Sequence, residues 1–305
     1  MHIRLIAALL LILALPAAAA AETITVTLIG TGAGPGAGGR GMTNTRNQTI
    51  TLIEAGGLSL VFDAGRGLVA GLVGAGISVI GRADKVFLTH LHSDHVTGLP
   101  DLFVNGAALG RTGPLRLWGP PGTEAMAAHL TEAFAWDIKY RTNRRRKGPS
   151  FDAKDAGTGR IFEEAGVTVT AFAVDHWPPR LDASARDDFP AYGYRVDFGG
   201  RSVTLSGDTR FSENVIKFAK GTDLLIHEVS LTAGRGRRSA HHTSPEQAGD
   251  VFRRAAPKLA VYSHIVFGRQ GADALVRRTG YDGPLVVGQD GMRITVGETV
   301  KVGPQ

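Results

Sequence analysis

Cysteine is absent from this 305-residue chain. Its absence excludes disulfide scaffolds, cysteine nucleophiles, iron–sulfur clusters and cysteine-based zinc fingers. It also suits an oxidising compartment. Past residue 21 there is no internal repeat, and no run is long and apolar enough to span a bilayer, which takes about 20 residues. Charge of one sign is scarce in excess: 34 Lys and Arg against 28 Asp and Glu leave a net +6. That mild surplus favours anionic partners but is too diffuse to mark a nucleic-acid binder. With 43% hydrophobic and 20% charged residues, disordered, collagen-like and coiled-coil chains are ruled out. The length fits one large α/β domain or two small ones, and either buries a core without staples.

The first 21 residues read as an address. Arg4 precedes an apolar run of eleven, Leu5 to Leu15; Pro16 breaks it, and Ala17 to Ala21 offer Ala-x-Ala cleavage sites. This pattern predicts a secretory signal over 1–21 and one mature domain over 22–305, starting at or near Glu22. Loss of Arg4 lowers the charge to +5. The apolar run is too short to remain as an anchor, and no lipidation cysteine exists. The expectation is a soluble periplasmic or secreted protein without a stable membrane anchor.

Hydrophobic alternation predicts strands over 23–30, 49–53, 58–62, 86–89, 167–174, 192–198, 201–205, 224–226 and 258–263. Helical spacing is expected over 68–79 and 94–109. Ser244-Pro245-Glu246-Gln247 reads as a helix start with a capping box. Seven glycines between Gly30 and Gly41 could cradle phosphate, but no Gly-Lys-Ser/Thr follows and no helix pattern opens there. Arg141 to Lys147 holds five basic residues in seven. It reads as a solvated loop continuing into a polar, glycine-containing stretch, or as a rim that attracts anionic substrates through Arg144, Arg145 and Arg146.

Chemistry concentrates in Thr89-His90-Leu91-His92-Ser93-Asp94-His95. Neutral imidazoles ligate divalent ions, and a carboxylate supplies compensating charge. His90 and His92 can converge on one ion from an extended or turning backbone. Asp94 and His95, past the turn, can point at a second. Four apolar strand-like runs also end in ligand-type residues: His90, Asp175-His176, Asp208 and His264. In α/β sheets, the carboxyl ends of strands form the binding crevice, so these four ends should converge. His129 reads as an ordinary surface or core histidine.

These motifs resemble the metallo-β-lactamase fold in their order: Phe62-Asp63-Ala64-Gly65, His90-x-His92-x-Asp94-His95, His176, Ser206-Gly207-Asp208-Thr209 and His264. Leu28 to Gly32, Ala191 to Arg195, Ile226-His227-Glu228 and His242-Thr243 are similar to its ribonuclease Z branch. Val174-Asp175-His176, Ser206 to Arg210, His241 to Pro245 and Lys258 to Ile265 are similar to the secreted, arylsulfatase-type arm of that branch. The resemblance spans residues 23–290. It implies an α/β, four-layer αββα sandwich with two zinc ions. One would be held by His90, His92 and His176, and the other by Asp94, His95 and His264, with Asp208 bridging. Asp63 would orient the ligand loop, and His227 with Glu228 would orient other groups. His242 matches a histidine near the leaving group. Spacing alone does not separate it from His241, but it directly precedes the Thr243/Ser244 helix start.

Two features depart from ribonuclease Z. Its common bacterial form carries a long tRNA-gripping arm between positions matching His176 and Asp208, and the loop from Pro178 to Pro190 is too short for one. An exported chain would also be separated from tRNA. The expected function is therefore hydrolysis of a sulfate or phosphate ester by a metal-bridging hydroxide. Asp94 would hold the nucleophile and its metal, and protonated His242 would serve the leaving oxygen. Trp177 and the 178–190 loop could wall an aromatic leaving group. The alternatives are a tRNA 3′-processing endonuclease, a lactonase or β-lactamase-type hydrolase, and a catalytically dead zinc-binding protein. The expected partner is a small anionic ester, with nucleic acid disfavoured and a homodimer as the candidate assembly.

Overall fold

The computed structural model describes residues 22–34, 46–77, 82–143, 147–233, 240–267 and 271–303. The expected signal over 1–21 and the three arginines Arg144, Arg145 and Arg146 lie outside them. No helix among the described residues is long and apolar enough to cross a membrane.

The chain first lays down β1 (Ile24–Gly30), β2 (Ile50–Ala55), β3 (Leu58–Phe62), β4 (Lys85–Phe87), β5 (Leu115–Gly119) and β6 (Phe151–Asp155). A second sheet follows: β7 (Gly159–Glu164), β8 (Val167–Val174), β9 (Ala191–Phe198), β10 (Arg201–Leu205), β11 (Leu224–Ser230), β12 (Leu259–Val266) and β13 (Leu285–Val287). The chain then returns to the first sheet with β14 (Arg293–Val296) and β15 (Val300–Val302). The orders are β15-β14-β1-β2-β3-β4-β5-β6 and β13-β12-β11-β10-β9-β8-β7. Each sheet is mixed. In the first, β3 to β6 run parallel; in the second, β10 to β13 do.

Three apolar clusters define four layers. Leu224 and Ile226 of β11 face the first sheet across a central core that also holds Val26, Phe62, Phe87 and Tyr194. Leu225 and Val229 face the opposite way, onto α6 (Glu213–Ala219), α7 (Pro245–Ala255) and α8 (Ala272–Thr279). The outer face of the first sheet packs on α1 (Leu68–Gly74), α3 (Leu99–Ala108), α4 (Thr123–Ala133) and α5 (Ala135–Arg141) through Leu72, Phe103, Ala127 and Ile138. A strand buried on both faces reads as a continuous apolar run, as the 224–226 half of β11 does. The αββα sandwich of the metallo-β-lactamase fold is therefore the observed architecture.

Three element expectations need correction. The polar stretch after residue 147 contains β6 and β7, not only loop. Both are edge strands rich in charge, which hides their alternation. The helix expected over 94–109 is two, α2 (Ser93–Val96) and α3, broken at Gly98. A Cβ on Gly98 would lie 2.2 Å from the Gly65 carbonyl oxygen, so the chain must bend past the turn after β3. The helix expected over 68–79 stops at Gly74.

Candidate metal centre

The turn after β3 supports the site from below. Asp63 sits there in the left-handed region, at φ 61°, which a short polar residue tolerates. Its carboxylate accepts the Thr89 backbone N–H at 2.8 Å and faces His95 Nδ1 at 2.9 Å. A carboxylate on Nδ1 fixes the proton there and turns the Nε2 lone pair the other way. His95 Nε2 then lies 3.5 Å from Asp208 Oδ2 and 3.8 Å from Asp94 Oδ2.

The loop after β4 supplies His90 and His92, and the end of β8 supplies His176. His90 Nε2 is 2.9 Å from His92 Nδ1, and His176 Nε2 is 3.3 Å from the same atom. His176 Nδ1 donates to the His241 carbonyl at 2.9 Å. A carbonyl only accepts, so Nε2 of His176 carries a lone pair into the cluster. Burial holds His90 and His176 well below the ordinary imidazole range, keeping both neutral. Lone pairs this close repel unless a proton or a cation sits among them.

A second group lies beside the first. His264 Nε2 is 3.2 Å from both Asp94 Oδ2 and Asp208 Oδ2. Asp208 Oδ2 is also 3.8 Å from His176 Nε2, so one carboxylate oxygen faces both groups. Burial works against the charge on Asp94 and Asp208, yet the surrounding imidazoles hold both well below the usual carboxylate range. The Gly34 N–H donates to Asp94 Oδ2 at 2.6 Å. That brings the root of the glycine-rich segment to the site, a contact for which the sequence reading had no signal.

His264 owes its direction to a bulge. Tyr262 pairs with His227 and Ile265 with Val229, so Ser263 and His264 together oppose Glu228. The strand expected to stop at Ser263 runs on to Val266, and His264 sits at φ 46° inside it. Such an extra residue re-aims a side chain without ending the strand.

Glu228 lies on β11, which extends past the expected Ile226 to Ser230. Its Oε1 accepts the backbone N–H groups of Thr209 and Thr243, both at 3.1 Å, and meets His242 Nδ1 at 3.1 Å. Burial opposes charge on His242, but Glu228 raises it to about 9. Burial and the adjacent His242 lower His241 to about 4. The neighbouring imidazoles that spacing could not separate therefore differ in charge at neutral pH. His227 takes another course: its ring packs on Phe252, and Nδ1 donates to the Glu228 carbonyl at 2.6 Å. Asp175 turns to Arg186 at 2.5 Å, and exposed His129 faces Glu132.

Trp177 is 9% exposed and borders a cavity of about 400 Å³ beside His90, His92 and His176. The Arg210 guanidinium lies 4.1 Å over its ring, and that of Arg186 lies 5.4 Å over it.

The donor set fits divalent metal. His90, His92 and His176 each offer an atom within 4.8 Å of the others, as do Asp94, His95 and His264. His95 Nε2 and Asp208 Oδ1 are buried without a protein hydrogen-bond partner. Buried polar atoms are costly when unpaired, and a cation among these donors offsets that cost.

Residues 59–265 match the family model described as the β-lactamase superfamily domain. The chain belongs to the metallo-β-lactamase fold superfamily. Its relatives in the superfamily include the ribonuclease Z of Mycobacterium sp. strain KMS, 31% identical over 271 residues, or 83% of this chain and 92% of that protein. The metallo-β-lactamase fold protein YhfI of Bacillus subtilis aligns with a TM-score of 0.65 at 20% identity, over 90% of this chain and 100% of that one. The short form of human tRNase Z aligns with a TM-score of 0.63 at 22% identity, over 88% and 98%. Superfamily and donor set together make this chain a metal-dependent hydrolase.

Proposed function

We propose that the protein is an exported binuclear zinc hydrolase that cleaves a phosphodiester or sulfate ester. The observation that carries this reading is one Asp208 oxygen facing two groups of three further donors. Two zinc ions held there would neutralise charge on the ester oxygens and bring the pKa of a bound water to about 7. His90, His92 and His176 would hold one ion, and Asp94, His95 and His264 the other, with Asp208 shared. Asp63 keeps His95 in the tautomer that ligation needs. Asp94, fixed by the Gly34 N–H, orients the attacking water. His242 has Nδ1 engaged by Glu228, which leaves Nε2 to hold the proton for the leaving oxygen. The relatives named ribonuclease Z weigh for phosphodiester over sulfate.

The same relatives support a second reading, tRNA 3′-end cleavage. Against it, the residues from His176 to Asp208 are taken up by a 13-residue loop, β9 and β10. Residues 1–21 support export and a mature start near Glu22, and Arg144, Arg145 and Arg146 support capture of anionic substrates. The deciding experiment is a panel on the zinc-loaded protein: bis(p-nitrophenyl) phosphate, p-nitrophenyl sulfate and a precursor tRNA. We expect turnover of the phosphodiester. Cleavage of the tRNA alone would establish the second reading instead.

A further inference from the structure

The cavity beside His90, His92 and His176 is walled differently from the rest of the site. Pro120 and Pro121 form one side, from the turn between β5 and α4. Pro178, Pro179, Phe189 and Pro190 form the other, at the two roots of the 178–190 loop. Among the described lining residues there is no lysine or arginine, and Asp188 is the one carboxylate. A nucleotide chain entering here would bring a further phosphate beside Asp188, while the guanidiniums against Trp177 are already engaged, Arg186 by Asp175 and Arg210 by the Trp177 and Ala240 carbonyls.

The wall is also built to hold its shape. Proline fixes φ and gives up little freedom when a ligand seats against it. The Leu181 N–H donates to the Pro178 carbonyl at 3.0 Å, and the Phe189 N–H to the Ala185 carbonyl at 3.2 Å, across a short 3₁₀ turn over Ala183–Arg186. Asp182 caps that turn by accepting the Ser184 N–H at 2.9 Å. Arg210 fixes the start of the loop by donating to the Trp177 carbonyl at 2.9 Å while covering its ring.

Size narrows the occupant. An apolar cavity of about 150 Å³ takes one benzene. The cavity of about 400 Å³ must also hold the ester beside His90, His92 and His176, and it still exceeds what that ester and a single ring fill. We infer that the substrate's ester carries a bulky, uncharged, apolar group of two or more fused rings, seated between the proline walls with the ester at His90, His92 and His176. This rests on the hydrolase reading and adds the class of alcohol or phenol that is esterified.

Two measurements separate the inference from the reading beneath it. The first is turnover of methyl phenyl, methyl 2-naphthyl and methyl anthryl phosphodiesters, with a dinucleotide of similar size. The second is calorimetric binding of phenyl, naphthyl and methyl esters of methylphosphonic acid, which needs no turnover. We expect affinity to rise about tenfold from phenyl to naphthyl, as apolar pockets discriminate by added carbon. The naphthyl ester should show the negative heat-capacity change of apolar burial. Phe189→Ala should flatten the series, and Phe189→Leu should restore part of it. Graded binding without turnover of any ester would leave the pocket assignment standing and overturn the reaction. Turnover with flat binding, or preference for the dinucleotide, would overturn the pocket assignment alone.

Discussion

Asp208 and His242 are a few ångströms apart and differ in what their loss should do. Asp208 Oδ2 lies within 4 Å of His95, His176 and His264 Nε2. Asp208→Ala removes the carboxylate that faces both donor groups, and we expect metal content to fall from near two equivalents to one or fewer by elemental analysis. Full occupancy in that variant would take Asp208 out of the ligand set. His242 is tied instead to Glu228, which also grips Thr209 and Thr243. We expect His242→Ala to keep its metal and its fold. It should lose little rate on a nitrophenyl diester and about 10²–10⁴-fold on an alkyl diester, because a general acid matters most for poor leaving groups. His241→Ala, at a ring burial keeps neutral, should be milder on both. A metal loss in His242→Ala would reverse the assignment.

At the scale of elements, α7 and α8 illustrate how a capped helix is held in place. Ser244 caps α7, with its Oγ accepting the Gln247 N–H and the Gln247 side chain returning to the Ser244 N–H. The capping box was legible because it is local. Glu246 in the first turn reaches across to Arg278 of α8, 2.7 Å away, and that contact was not legible because it spans 32 residues. The hydrogen bonds from Arg278 lower Glu246 to about 2. A carboxylate depressed in the folded state stabilises it above its unfolded value. That help is lost as pH falls from about 4.5 toward 2. The Glu246 side chain is 55% exposed, so its contribution is screened to about 1 kcal/mol or less. Glu246→Gln should lower Tm by about 2 °C or less at pH 7, with the difference closing near pH 2. A constant difference across that range would remove the ion pair as its source.

Across the whole molecule, the donors come from both sheets. His90, His92, Asp94 and His95 follow β4 of the first sheet; His176, Asp208 and His264 belong to the second. Metal bound among them joins the two halves of the sandwich. A ligand at about 1,000 times its Kd adds about 4 kcal/mol to stability. Chelation should therefore lower Tm by about 7 °C, and zinc should restore it. The drop should shrink in Asp208→Ala. A Tm indifferent to chelator would mean that metal does not bridge the sheets.

The sequence by itself determined the chemistry and much of the fold. His90 to His95 lie within six residues, and strand periods and the helix start at Ser244 are set by near neighbours. The ligand-bearing ends of β4, β10 and β12 were legible because parallel strands deliver their carboxyl ends to one crevice, and β8, antiparallel to its neighbours, reaches it because it points the same way as β10. Tertiary structure alone decided the rest. Asp94 meets His264 across 170 positions, and only a bulge opposite Glu228 turns His264 toward it. The Gly34 N–H reaches Asp94 across 60 positions. Glu228 distinguishes His242 from His241 through a contact that spacing cannot carry. The edge strands β6 and β7 escaped the sequence reading because each buries little, and the pattern that marks a strand is the pattern of its burial.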